Sequence, residues 1–146
     1  MLIYFTDGST APSNPGPGGY AVILDGEPAV LGIDPEQPWT TTNIRMEGYA
    51  ILNALIHSLG EPCEIHTDSQ FWVNVLTKWA SGWEAKGWKK RVGDIANLNL
   101  VIELYNTYNK SNATLVWVRG HNGNEGNELA DHWANKARET LLDPDL

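Results

Sequence analysis

Four acidic residues sit in surroundings that suit chemistry. Asp7 closes the apolar run Leu2-Ile3-Tyr4-Phe5-Thr6 and is followed by Gly8. Asp68 closes a second run, Glu64-Ile65-His66-Thr67. Glu47 falls in the opening turn of a segment with helical spacing, and Asp131 lies in another such segment near the C-terminus. A charge at the end of a buried strand is held rigidly at the edge of the core. In α/β folds, strand C-termini and helix N-termini gather on one side, where ligands bind. Carboxylates gathered there repel one another unless a cation compensates. Hard, oxygen-preferring ions such as Mg²⁺ meet that need. Two of them about 3.5–4 Å apart can stabilise both the attacking and the leaving oxygen of a phosphodiester. Taken singly, each acid reads as a cap or a solvated surface group; only the set points to metal.

The elements that must position these residues can be read in order. The strand at residues 2–8 gives way to a Pro- and Gly-rich loop, Ser9 to Gly19. Strands follow at Gly18–Leu24 and Pro28–Ile33, joined by Asp25-Gly26, a strong two-residue hairpin signal. A polar connection leads to Thr42 or Asn43 as helix N-cap. The helix then runs from about Arg45 to Ser58 and ends at Gly60 and Pro62. After the Glu64–Thr67 strand, Ser69 opens a helix with Phe71, Val75 and Trp79 four apart on one face. Residues 79–88 are aromatic and broken by glycine, ending in Lys89-Lys90-Arg91. Val92 to Tyr108 has the 3.6-residue period, Thr114–Val118 is a last strand, and a helix from about Asn127 to Leu142 buries Leu129, Ala130, Trp133, Ala134, Ala137 and Leu141. Three strands, then helix, strand, helices, strand and helix predict an α/β domain: an antiparallel meander extended by crossover strands, with helices on its faces.

The totals agree with one domain, residues 1–146, with 142–146 as a short tail. Hydrophobic residues are 42% and charged residues 19% of the chain, as in a globular protein. The apolar start is too short for a signal peptide or a membrane span, so a cytoplasmic monomer is expected. The single cysteine, Cys63, excludes an internal disulfide and a cysteine-cluster zinc site. The net charge of −8 is unusual for a nucleic-acid binder. Five of the ten Lys and Arg residues, however, lie between Lys78 and Arg91, and two divalent cations at the carboxylates would halve the deficit.

Five short motifs turn these positions into a recognisable set: Thr6-Asp7-Gly8-Ser9, Asn14-Pro15-Gly16-Pro17-Gly18-Gly19, Thr42-Asn43-Ile44-Arg45-Met46-Glu47, Thr67-Asp68-Ser69-Gln70, and Gly120-His121-Asn122-Gly123 leading to Gly126-Asn127-Glu128-Leu129-Ala130-Asp131. In this order, over residues 2 to 142, the chain resembles the type 1 ribonuclease H family. The resemblance implies a ribonuclease H-like fold: a five-stranded mixed sheet, antiparallel meander plus two crossover strands, with helices on both faces. It implies an endoribonuclease that hydrolyses the RNA strand of RNA–DNA hybrids with two Mg²⁺, or Mn²⁺ in their place, leaving 5′-phosphate and 3′-hydroxyl ends. Asp7 would touch both metals, Glu47 and Asp68 would complete the side that orients water, and Asp131 would hold the leaving-group side. His121 would shuttle a proton or aid product release, a role that a neutral imidazole suits at pH 7. His57, His66 and His132 carry no such context and read as structural.

The same resemblance places Asn14, Asn43 and Gln70 on nucleic acid near the cut, Thr42 on a DNA phosphate and Glu128 on a 2′-hydroxyl. Trp83, Lys86, Trp88 and Lys89, with Lys90 and Arg91, resemble the family's basic protrusion, whose tryptophans pack on deoxyribose and whose cations pair with DNA phosphates. Trp79 resembles part of the same protrusion but also reads as core, on the face of Phe71 and Val75, which leaves Trp83 and Trp88 the better ligand candidates. The chain departs from the family pattern in places: the first loop has one residue more than the commonest spacing, Ile44 stands where a polar residue is frequent, and Glu84 and Asp94 dilute the protrusion's charge. Two alternatives share the carboxylates, a DNA-directed nuclease on the same fold and a non-catalytic hybrid-binding module.

Overall fold

The computed structural model describes residues 1–120 and 123–142. Five strands form one sheet in the order β3-β2-β1-β4-β5: β1 Leu2–Thr10, β2 Gly18–Leu24, β3 Glu27–Gly32, β4 Cys63–Thr67 and β5 Ala113–Trp117. β1 pairs antiparallel with β2, and β2 with β3; β4 pairs parallel with β1 and with β5. The helices are α1 Asn43–His57, α2 Gln70–Asn74, α3 Ala80–Ala85, α4 Leu98–Asn109 and α5 Glu125–Leu141, and a π-turn at Val75–Trp79 joins α2 to α3. The Asp25-Gly26 hairpin has positive φ at both residues, as a tight turn between right-twisted strands requires.

Strand alternation sends side chains to two cores. Tyr4, Val22 and Ile65 pack with Ile51 and Leu55 of α1, Trp72 of α2 and Leu100, Val101 and Leu104 of α4. On the opposite face, Ala21 and Ile23 meet Ala130 and Ala134 of α5, with Phe5, Leu129 and Trp133 around them. Small residues let α5 lie close to the sheet: a Cβ on Gly126 would fall 2.4 Å from the Phe5 ring. The expected mixed sheet with helices on both faces is therefore the observed one. No helix among the described residues is long and apolar enough to cross a membrane.

Several local expectations change. β1 extends to Thr10, because its last residues still pair with Gly18–Tyr20 after β4 has ended. The helix opened by Ser69 continues through the π-turn and past Gly82 to Ala85. A π-turn adds a residue to the turn and rotates every later side chain about the helix axis. Trp79 is accordingly 42% exposed, whereas Val75 is fully buried. α4 begins only at Leu98; residues 92–97 are irregular, although Ile95 is buried. Leu141, expected inside, is 45% exposed at the last turn of α5.

Candidate active site

Asp7 lies inside β1, not at its end. Its neighbours through Thr6 pair with β4 on one side, and Asp7 itself pairs with Ala21 on the other. β4 stops at Thr67, so Asp7 stands where β1 loses one neighbour and Asp68 stands where that neighbour turns away. The gap lies at the point where the connections leave the sheet in opposite directions, the place at which open α/β sheets bind ligands.

α1 supplies the third carboxylate. Thr42 caps it, its hydroxyl accepting from Arg45 N at 3.2 Å. Because the helix starts at Asn43, Glu47 lies in its second turn, one turn later than the spacing suggested. Gly8 makes the approach possible: a Cβ there would sit 2.4 Å from the Glu47 backbone nitrogen and from the Met46 carbonyl carbon. Buried Trp72 fixes the same helix from the other side, its Nε1 donating to Ile44 O at 2.7 Å. Ser69 caps α2 by accepting from Trp72 N at 3.2 Å, and its side chain also donates to Glu47.

One carboxylate oxygen from each of Asp7, Glu47 and Asp68 lies within 4.8 Å of the others. Burial first, and then the charges of Asp68, Glu47 and Asp131, hold the Asp7 carboxyl well above the ordinary carboxylate range; a hydrogen bond from the Gly8 backbone opposes them. Burial first, and then Asp68, push Glu47 up to about 7 against the Ser69 hydrogen bond. Asp131, half-buried on α5, stands off from the tight group but adds its charge to the repulsion on Asp7. An all-oxygen donor set that resists its own ionisation fits a hard divalent cation. A cavity of about 620 Å³, lined by Ile3, Phe5, Ile23, Leu129 and others, includes none of these acids.

The remaining candidate residues divide into a rim and an outlying segment. Asn43 Oδ1 accepts from Thr10 N at 3.0 Å, and Asn14 Oδ1 accepts from Asn43 N at 3.1 Å, so Asn14, Thr42 and Asn43 share one edge beside α1. Gln70 is exposed at the start of α2 and Glu128 is exposed in the first turn of α5. Lys86 and Lys89 are exposed, as are Lys78, Lys90 and Arg91. Trp83 and Trp88 are half-buried and pack against the main core, with Trp88 edge-on to Tyr105 at 5.9 Å. More of Trp79 than expected, and less of Trp83 and Trp88, faces outward. His121 lies outside the described residues. Gly8 and Ser69 escaped the sequence reading as parts of the site; the only signal was their place beside Asp7 and Asp68 in the motifs.

Known proteins resemble this arrangement along the whole chain. The family model for RNase H matches residues 1–139. Ribonuclease H of Gluconobacter oxydans (strain 621H) is 40% identical over 143 residues, covering 94% of this chain and 91% of its own. Ribonuclease H of Granulibacter bethesdensis is 43% identical over 140 residues, covering 92% and 89%. Among solved structures, LC9-RNase H1, a type 1 RNase H with the type 2 active-site motif, superposes with a TM-score of 0.79 at 29% identity, over 98% of this chain and 74% of that one. LC11-RNase H1, solved in complex with RNA/DNA hybrid, shares the fold with a TM-score of 0.66 at 21% identity, over 98% and 100%. With its sheet order, its converging acids and this similarity from end to end, the chain belongs to the type 1 ribonuclease H family and is an enzyme of that family.

Proposed function

We propose that residues 1–146 form a single catalytic domain that cuts the RNA strand of RNA–DNA hybrids endonucleolytically, with Mg²⁺ or Mn²⁺, leaving 5′-phosphate and 3′-hydroxyl ends. The observation that carries this reading is the convergence of Asp7, Glu47 and Asp68 from three separate elements to within 4.8 Å. Asp7, Glu47, Asp68 and Asp131 would hold the metal. Bound there, two divalent cations supply charge stabilisation for the entering and leaving oxygens of an in-line displacement. The protein's own contribution is placement. Gly8 and Trp72 fix α1 so that Glu47 faces Asp7 and Asp68 across the gap beside β4. Ser69 hydrogen-bonds the Glu47 carboxylate, which would orient its remaining lone pairs toward the metal and the attacking water. His121, four residues before Glu125 in the sequence, would carry a proton to or from the reacting oxygens.

The rim residues Asn14, Thr42, Asn43, Gln70 and Glu128 would face the two strands of the hybrid around the cut, where 2′-hydroxyls distinguish RNA from DNA. Trp83, Lys86, Trp88 and Lys89 would grip the DNA strand further along, with the lysines supplying phosphate contacts. The half-burial of both tryptophans gives them fixed orientations at the cost of contact area. A cytoplasmic monomer is the simplest setting for this activity.

End-labelled RNA–DNA hybrid, RNA–RNA duplex and DNA–DNA duplex, each incubated with Mg²⁺, with Mn²⁺ and with chelator, test the proposal. Metal-dependent cutting of the RNA strand of the hybrid alone, with 5′-phosphorylated downstream products, is expected. Cutting of the DNA duplex would replace the substrate, and tight hybrid binding without cutting would replace the activity.

A further inference from the structure

Arg45 is charged and buried, and the proposed hydrolysis does not use it. Its Nε donates to Asp34 Oδ2 at 2.7 Å, and its Nη2 to Asp34 Oδ1 at 3.2 Å. Its Nη1 donates to Asn97 Oδ1 at 3.3 Å. One guanidinium thereby ties the connection after β3 and the first turn of α1 to the residue before α4, 52 positions further along the chain.

Each of those segments leads to part of the proposed hybrid surface. Asp34 also accepts from Glu36 N at 2.9 Å, from Gln37 N at 3.2 Å and from the Thr41 hydroxyl at 2.7 Å. Thr41 O accepts from Gly16 N at 2.9 Å, beside the turn that carries Asn14, and Asn14 in turn holds Asn43. On the other side, Asn97 has left-handed backbone, φ 56°, and its carbonyl accepts from Val101 N to open α4. Just before it, the chain that carries Lys89, Lys90 and Arg91 folds back over Ile95 and Leu98, with which Trp88 and Lys90 line a small cavity. Replacing a buried ion pair by well-packed apolar groups is commonly neutral or stabilising, so stability alone is a weak reason for this one. A rigid planar fork that binds two neighbours at once is suited to fixing their relative placement, and a lysine could not reproduce it.

We infer that Arg45, clamped by Asp34 and reaching Asn97, is a positioning residue that sets the Thr42–Asn43 end of α1 against the base of the Lys86–Arg91 segment, so that both engage one hybrid together. The inference rests on the hybrid-cleaving reading proposed for this site. It assigns Arg45 to substrate engagement, away from metal binding and the chemical step.

The test uses the full chain with Asn97→Gly and Arg45→Lys. Glycine tolerates the left-handed backbone and removes only the acceptor; lysine keeps the charge and loses the fork. At saturating Mg²⁺, both variants raise KM for hybrid by about fivefold or more, the pattern of lost uniform binding. Their kcat and their half-saturating Mg²⁺ stay near wild type. In the wild-type background, the effects of Asn43→Ala and Lys89→Ala on hybrid Kd are interdependent; in the Asn97→Gly background they become additive. An unchanged KM in folded Asn97→Gly, a fall in kcat at constant KM, or additivity already in the wild-type background would overturn the inference. If Arg45→Lys fails to fold, Asn97→Gly decides alone. Failure of the hybrid-cleaving reading would show in the wild-type protein, whereas failure of this inference would show only in the variants.

Discussion

Asp7 concentrates the conflict that defines the site, since it is buried among three other acids and accepts one backbone hydrogen bond. Asp7→Asn removes the charge and keeps the shape. The expected result is a variant without hydrolytic activity whose metal-free melting temperature at pH 8 is roughly 3–8 °C above wild type, read by thermal denaturation in chelator. Glu47 adds a pH dependence in a defined window. Its carboxyl sits at about 7 in the fold against 4.5 for the free group, so the folded state binds the extra proton between those values. Stability of the metal-free protein therefore falls as pH rises through that window, and added Mg²⁺ restores it at the upper end. Protons and metal compete for the same oxygens, so the Mg²⁺ concentration for half-maximal rate is higher at pH 6 than at pH 8; an unchanged requirement would contradict the assignment. The four acids were legible in the sequence because each stands in a motif with a strand or helix beside it. Ser69's hydroxyl on Glu47 and the Asp34–Arg45–Asn97 group were not, because no periodicity links residues that meet only after the chain folds.

At the scale of elements, the site is a meeting of β1, β4 and α1 under tight steric terms. The Cβ of Gly8→Ala would strike backbone atoms of Met46 and Glu47, so α1 must move. That overpacking costs about 1–3 kcal/mol, and a displacement near 1 Å at Glu47 lowers kcat by up to about 100-fold. The expectation is a folded protein with a moderate loss in denaturant midpoint and a far larger loss of turnover; near-normal turnover would mean that α1 is not held through this contact. The strands, α1 and α5 followed from hydrophobic period, caps and the Asp25-Gly26 turn. The outward Trp79 did not, because a π-turn breaks the spacing on which the four-residue rule depends. The late start of α4 was hidden for a related reason: Ile95 is buried from an irregular segment, which adds to the apparent helical period.

The whole molecule carries −8, yet its basic residues are not spread evenly. All five cations from Lys78 to Arg91 are exposed on one stretch of chain, so the field there differs from the field elsewhere. Hybrid affinity should fall steeply with salt, and Lys89→Ala should reduce the slope of log K against log salt by about 0.7–0.9. An unchanged slope would remove Lys89 from the phosphate contacts. The most direct test of the account compares wild type with Asp68→Asn on end-labelled RNA–DNA hybrid in Mg²⁺, with hybrid binding and melting temperature measured alongside. Near-total loss of cutting, with binding and fold retained, is the predicted outcome. Activity within a few-fold of wild type would contradict the assignment of the carboxylate cluster as the catalytic metal centre.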